Sequence, residues 1–330
     1  MMQYRQLGNS SLTLPVVTLG TWQLADSEYW GAGGDPQNAV RSALDHGITC
    51  FDSAESYANG ESEALLGRAL GRERSKVLLA TKVSQRNLAP DKLTAACEGS
   101  LKRLRTDTID LYQVHWPSRE VSFAETFDAL ERLRRDGKIR AIGVSNFGPL
   151  DLHDWLQSGS AVSNQVCYNA LFRAIEFEIL PACRSAGVGV LAYSPLLQGI
   201  LSGRWEAIED IPTARRRTRH FAAAREGTRH RSAGAEEETL HALRGLADLA
   251  RETGIAMADL AMAWLIAQPG VTSIIVGGRR PDQVARNARA AEIRLAPDIL
   301  ARIGRLTEPL KQRLGPNADP WLDGADSRIR

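Results

Sequence analysis

The chain has 330 residues, 43% hydrophobic and 24% charged, with a formal net charge of +2. That length can bury a large core, and the near-neutral balance argues against nucleic-acid binding, which calls for a concentrated basic face. No apolar run reaches the roughly 18 residues of a membrane span, and the first twenty residues lack a signal-peptide pattern, so a cytoplasmic protein with no membrane partner is expected.

In chain order, YRQLGNSSLTL (4–14) reads as a hairpin turning at Gly8-Asn9, placed to plug the bottom of whatever follows. LPVVTLGT (14–21) is a strand and DPQNAVRSALDHG (35–47) a helix ended by glycine. The pattern repeats with strand 48–54 and helix 61–71, then strand 76–83 and helix 90–105. Strand 108–116 precedes helix 123–138, strand 139–147 precedes helix 150–157, and strand 163–169 precedes helix 177–187. Strand 188–196 leads into a long irregular stretch before helices 237–254 and 257–268, and strand 272–277 precedes helix 281–292. Eight continuous apolar strands, each followed by a helix, predict a parallel (β/α)8 TIM barrel, with residues 1–330 as a single domain. No Gly-x-Gly-x-x-Gly follows the first strand, which disfavours a doubly wound sheet. Cys50, Cys97, Cys167 and Cys183 form no Cys-x-x-Cys pair, so neither a disulfide scaffold nor a bound metal is expected.

In such a barrel the C-terminal strand ends share one mouth, where active sites form. Asp52, Lys82 and His115 end the second, third and fourth strands, and Tyr57 follows the second. Each alone has an ordinary reading: a helix cap, a snorkelling lysine, a satisfied core histidine. Together they suit protonation of a carbonyl oxygen. A phenol of pKa ~10 is a poor acid at neutral pH, and a neighbouring ammonium lowers that value. Asp52 would position Lys82, Lys82 would act on Tyr57, and His115 would orient the incoming oxygen.

DSAESYANGESEALLGRAL (52–70) resembles the first signature of the aldo-keto reductases, and the likeness continues through ATKVS, SLKRLRTDTIDLYQVHWP, LERLRRDGKIRAIGVSNF and YSPL. The resemblance implies a (β/α)8 barrel that reduces carbonyls with NADPH, or less often NADH, using a tetrad that falls on Asp52, Tyr57, Lys82 and His115. Ala58 stands where the family has glycine, a change that matters only if the position needs a positive φ.

The resemblance further implies that Ser145, Asn146 and Gln165 contact the nicotinamide carboxamide and that Tyr193 stacks under the ring. Gly20, Thr21, Trp22 and Asp52 join this set, and Ser194, Pro195, Leu196, Gln198 and Gly199 run along the pyrophosphate. Gly277 and Gly278 would face an anion, Gln283 and Asn287 the phosphate and adenine, and Arg279 with Arg280 a ribose 2′-phosphate, which favours NADPH. Arg286 stands where many relatives carry a glutamate that contacts adenine, a departure from the family pattern at that contact. Trp22, Tyr57, His115 and Trp116 would line the substrate pocket, with Trp30 as a further wall and the tail around Trp321 folding back. The basic stretch near residues 215–231 reads either as a solvated loop or as a lid over the dinucleotide. The expected partner is a small carbonyl compound such as a sugar or dicarbonyl; a homo-oligomeric state stays open. The second reading is a cofactor-binding, redox-sensing module like the channel β subunits of the same family.

Overall fold

A computed structural model describes residues 1–25, 30–31 and 34–330. Two short strands, β1 (Tyr4–Gln6) and β2 (Thr13–Pro15), pair antiparallel. The barrel is built from β3 (Val17–Gly20), β4 (Cys50–Asp52), β5 (Leu78–Val83), β6 (Ile109–Val114), β7 (Ile139–Ser145), β8 (Ser163–Cys167), β9 (Gly189–Tyr193) and β10 (Val271–Gly277). These eight strands pair in parallel and close in chain order, so the expected TIM barrel is the fold. Among the described residues, no helix is long and apolar enough to cross a membrane.

Alternation along each strand explains both the core and the site. Phe51, Leu79, Tyr112, Ile142, Val190 and Ile274 pack into the large core that includes the helices. Cys50, Ala80, Leu111, Ala141, Leu191 and Ile275 form a separate cluster with Leu7, Leu12 and Leu14 of the hairpin. The hairpin thus fills the barrel floor, where small residues such as Cys50, Ala80 and Ala141 make room for its leucines. Gly8 turns it at φ +51°, and a Cβ there would lie 2.4 Å from the Val162 carbonyl oxygen. Because β2 absorbs Thr13–Pro15, the barrel strand begins at Val17 rather than at residue 14.

The helix Pro297–Leu314 has no counterpart in the sequence reading. It buries Ile303, Thr307, Leu310 and Leu314 and carries Pro309 inside it. Beyond it the chain is irregular apart from a 3-10 turn at Gly324–Asp326, and it returns to the barrel mouth.

The basic stretch after β9 is neither loose nor fully solvated: Thr218, Arg219, His220 and Phe221 are buried. Arg219 donates to the carbonyl oxygens of Asp319 (Nε, 2.9 Å), Leu314 (Nη1, 3.0 Å) and Asn317 (Nη2, 2.5 Å), and its own N–H donates to Pro320. One guanidinium therefore fastens the loop after β9 to the C-terminal tail. Arg219→Met leaves three carbonyls without a donor and is expected to cost about 2–4 kcal/mol in chemical denaturation, with faster amide exchange concentrated in residues 315–330.

Candidate active site

Two residues above the apolar floor, the interior positions turn polar. Cys50 is followed at i+2 by Asp52, Ala80 by Lys82 and Leu111 by Gln113, and Gln165 completes the layer from β8; all four polar side chains are buried. Lys82 Nζ lies 2.6 Å from Asp52 Oδ1, 2.7 Å from the Ser53 carbonyl oxygen and 3.3 Å from Tyr57 Oη. Its three donors are thus all engaged. The other Asp52 oxygen accepts from Gln165 Nε2 (2.9 Å) and Gln113 Nε2 (3.2 Å). A buried ion pair persists when its remaining valences are satisfied in this way.

Gln113 was not among the residues singled out from sequence. Gly143 makes room for it: a Cβ there would meet Gln113 Cγ at 2.9 Å and Ser163 Oγ at 2.5 Å. The available signal was its place on the interior register of β6, two residues from Leu111 and two before His115.

Burial raises Tyr57 above the ordinary phenol range, and the Lys82 ammonium opposes that rise without overcoming it. The sequence reading weighed the ammonium and not the desolvation. Burial also works against the Lys82 charge, yet Asp52 and Tyr57 outweigh it and Lys82 is held above its usual value. Both groups therefore keep their protons at neutral pH. Since Lys82 donates to Tyr57 Oη, the phenol hydrogen is left free to turn toward a substrate.

His115 packs edge-on to Tyr57 with ring centroids 5.8 Å apart, and its Nδ1 lies 3.4 Å from Ser56 Oγ. Burial, reinforced by the charges of Lys82 and Arg328, lowers it from 6.5 to about 3. Between those values the unfolded chain binds a proton that the folded chain refuses. Stability is therefore expected to fall as pH drops from 6.5 toward 3. Urea midpoints measured across this range should fall less steeply for His115→Gln than for the unaltered chain.

The turn after Tyr57 is strained. Ala58 and Asn59 have φ of +47° and +52°, so the alanine sits where the family's glycine is at ease. The left-handed region costs a non-glycine residue about 1–2 kcal/mol, partly offset by glycine's extra chain entropy. Ala58→Gly should raise unfolding stability by about 0.5–1 kcal/mol.

At the ends of β7 and β8, Ser145 Oγ donates to the Gln165 carbonyl oxygen (2.9 Å), and Asn146, at φ +61°, donates to the His115 carbonyl oxygen (3.0 Å). Tyr193 Oη donates to Asn146 Oδ1 (2.8 Å). Among the described residues the Gln165 amide oxygen accepts no hydrogen bond, while its nitrogen is held by Asp52 and Gln113. Thr21 Oγ1 is committed to the Asp52 carbonyl oxygen and Ser62, and Gly20 packs against Ile275. Ser194, Leu197, Gln198 and Gly199 all have positive φ, so the turn through Pro195 and Leu196 is tightly folded. Across the barrel, Gln283 Oε1 accepts from the Arg279 backbone N–H (3.0 Å) and Asn287 Nδ2 donates to the Gly277 carbonyl oxygen (3.1 Å), fixing the loop through Gly278. The Arg279 side chain donates to the Gly31 carbonyl oxygen, and Asp282 takes Arg280 (3.0 Å) and Arg286 (3.4 Å).

Aromatic rings frame the mouth. Trp22 stacks on Tyr57 (6.1 Å) and meets Trp30 edge-on (5.2 Å), and Arg215 covers Trp30 at 3.9 Å. Residues 26–29 and 32–33 of that loop lie outside the described residues. From the tail, Trp321 lies nearly parallel to Tyr193 (8°, 6.5 Å) and 6.3 Å from Trp116, and Arg328 sits 3.7 Å over the Trp116 ring.

The family model described as "Aldo/keto reductase family" matches residues 16–308. The NADH-specific methylglyoxal reductase of Escherichia coli (strain K12) is 31% identical over 335 residues, covering 93% of this chain and 98% of its own length. A probable voltage-gated potassium channel subunit beta of Arabidopsis thaliana is 29% identical, covering 94% of this chain and 98% of its own. The crystal structure of an aldo-keto reductase from Klebsiella pneumoniae in complex with NADPH matches with a TM-score of 0.73 at 30% identity, over 98% of this chain and 100% of that one.

Proposed function

We propose, from the premise that this chain belongs to the aldo/keto reductase family, that residues 1–330 work as one domain that reduces the carbonyl of small aldehydes, ketones or dicarbonyls to alcohols with NADPH. The observation that carries this reading is the contact of the buried Lys82 Nζ with Tyr57 Oη at 3.3 Å, backed by Asp52 at 2.6 Å.

The chain's residues fit a nicotinamide dinucleotide. The Gln165 amide oxygen is an acceptor of the kind a carboxamide N–H needs, and Ser145 and Asn146 lie beside it with the Tyr193 ring. The turn Ser194–Gly199 and the loop Gly277–Arg279 would hold the phosphates, with Gln283 and Asn287 bracing that loop. Arg279 and Arg280 would serve a 2′-phosphate after exchanging their present partners, Gly31 and Asp282. When bound, the dinucleotide supplies a hydride to the carbonyl carbon.

Tyr57 gives its proton to the carbonyl oxygen. Lys82 stabilises the phenolate that remains, and Asp52 keeps Lys82 charged and in place. His115 is neutral and so positions the oxygen through a hydrogen bond instead of competing as the acid. Trp22 and Trp116 form walls that exclude water from this step. No His115 inflexion near 6.5 is therefore expected in the pH profile of kcat/KM. The test is titration with NADPH and with NADH followed by protein fluorescence. NADPH should bind more tightly, and failure of both to bind would sink the cofactor assignment and the reaction with it.

A further inference from the structure

The turn that presents Tyr57 is held from behind. Ala58, Asn59 and Gly60 are left-handed in succession (φ +47°, +52° and +89°), and the helix Glu61–Leu70 begins directly after them. Three consecutive residues in that region do not persist on local preference alone. The Arg103 side chain lies against Gly60, where a Cβ would meet its Cδ and Nε at 2.7 Å. Gly67 and Gly99 complete the slot: a Cβ on the first would meet the Arg103 carbonyl oxygen at 2.6 Å, and one on the second Nη1 at 3.0 Å.

Glu63 fixes Arg103 in that slot. Its Oε2 accepts from Arg103 Nε (2.7 Å), and its Oε1 accepts from Thr81 Oγ1 (2.5 Å). The Glu63 side chain is 0% exposed and that of Arg103 31%. Thr81 immediately precedes Lys82 on β5. One carboxylate thus ties the turn carrying Tyr57 to the strand carrying Lys82. The residue before it reaches the ends of β3 and β4: Ser62 Oγ donates to the Thr21 carbonyl oxygen (2.9 Å) and accepts from Ser53 Oγ (3.2 Å). An ion pair with a buried carboxylate contributes little net stability, because desolvation offsets the attraction. What this one holds constant is the spacing of two backbones.

We propose that Glu63 is a positioning residue for the proton transfer: anchored by Arg103 and Thr81, it sets the 3.3 Å separation of Tyr57 Oη and Lys82 Nζ. It acts through the turn and the strand rather than on the reacting atoms. The inference rests on the carbonyl-reductase reading, since it concerns the same proton.

The experiment uses the full chain with saturating NADPH and 4-nitrobenzaldehyde, rates being divided by the NADPH-binding stoichiometry of each sample. Glu63→Gln keeps the side-chain shape and leaves no buried charge unpaired, because Arg103 is partly exposed. It should lower kcat by about 10- to 100-fold, the cost of displacing a reacting group by about 1 Å, with KM and nucleotide affinity within about twofold. Thr81→Val removes one of the two anchors and keeps the Glu63–Arg103 pair. It should lower kcat by about 3- to 10-fold in the same pattern, and it carries the test if Glu63→Gln does not fold. The decisive comparison is a double-variant cycle. Added to Tyr57→Phe, either change should alter the residual rate by less than about twofold, because the proton it positions is gone. A loss as large in the Tyr57→Phe background as in the unaltered chain overturns the positioning role and leaves the reductase reading standing. A kcat unchanged in both single variants overturns it as well. Absence of turnover by the unaltered chain with every carbonyl sinks both readings.

Discussion

Tyr57→Phe should lower kcat for carbonyl reduction by about a hundred- to ten-thousand-fold, the range of a single positioned general acid. Nucleotide affinity should be nearly unchanged, because the phenol oxygen contacts Lys82 and no residue of the proposed dinucleotide site. The size of the loss follows from the absence of a substitute acid. His115 is the other group at the oxygen, but its pKa of about 3 means it carries no spare proton at neutral pH. Lys82 is buried behind the ring with its three donors already committed. The fold should tolerate the change at about 1 kcal/mol, since one ammonium N–H loses a weak acceptor. Rates near those of the unaltered chain, read from initial velocities under saturating NADPH, would assign the proton to another group.

Lys82→Met should be the more damaging change to the fold. It keeps the length of the side chain and removes the charge, leaving Asp52 buried with only two amide donors, Gln113 and Gln165. Breaking one side of a buried pair costs about 3–5 kcal/mol. Activity should be lost as well, because the phenolate left after proton transfer has no counter-charge. The pair can be separated from the chemistry by a double variant. Asp52→Asn with Lys82→Met removes both charges and should recover much of the stability while recovering none of the rate. A single Lys82→Met variant that denatures at the same urea concentration as the unaltered chain would show that the pair is not buried as described.

The barrel and its polar mouth were legible because strand, helix and turn signals repeat eight times and because Asp52, Lys82 and His115 fall at strand ends. Other features were hidden for physical reasons. A parallel strand buried on both faces shows no apolar–polar alternation, so only the register shared with Leu111 and His115 marked which way Gln113 points. The helix Pro297–Leu314 carries Pro309 and charged residues through its pattern, and its buried face shows only once the rest of the barrel is present. Arg219 and Arg328 draw their meaning from tail contacts that depend on the chain's return to the mouth. At Ala58 the departure from glycine was visible, but the φ of +47° that makes it costly was not. The raised pKa of Tyr57 turns on how completely the site is dried, a quantity no spacing encodes.

The sharpest division lies between an enzyme and a cofactor-holding module of the channel-subunit kind. It is decided by counting NADPH equivalents oxidised per chain with an aldehyde or dicarbonyl in excess, the alcohol product being identified. Continuous consumption far beyond one equivalent, lost in Tyr57→Phe, is the result the relay from the buried Asp52–Lys82 pair to Tyr57 predicts. Tight NADPH retention with no more than one equivalent oxidised would contradict it.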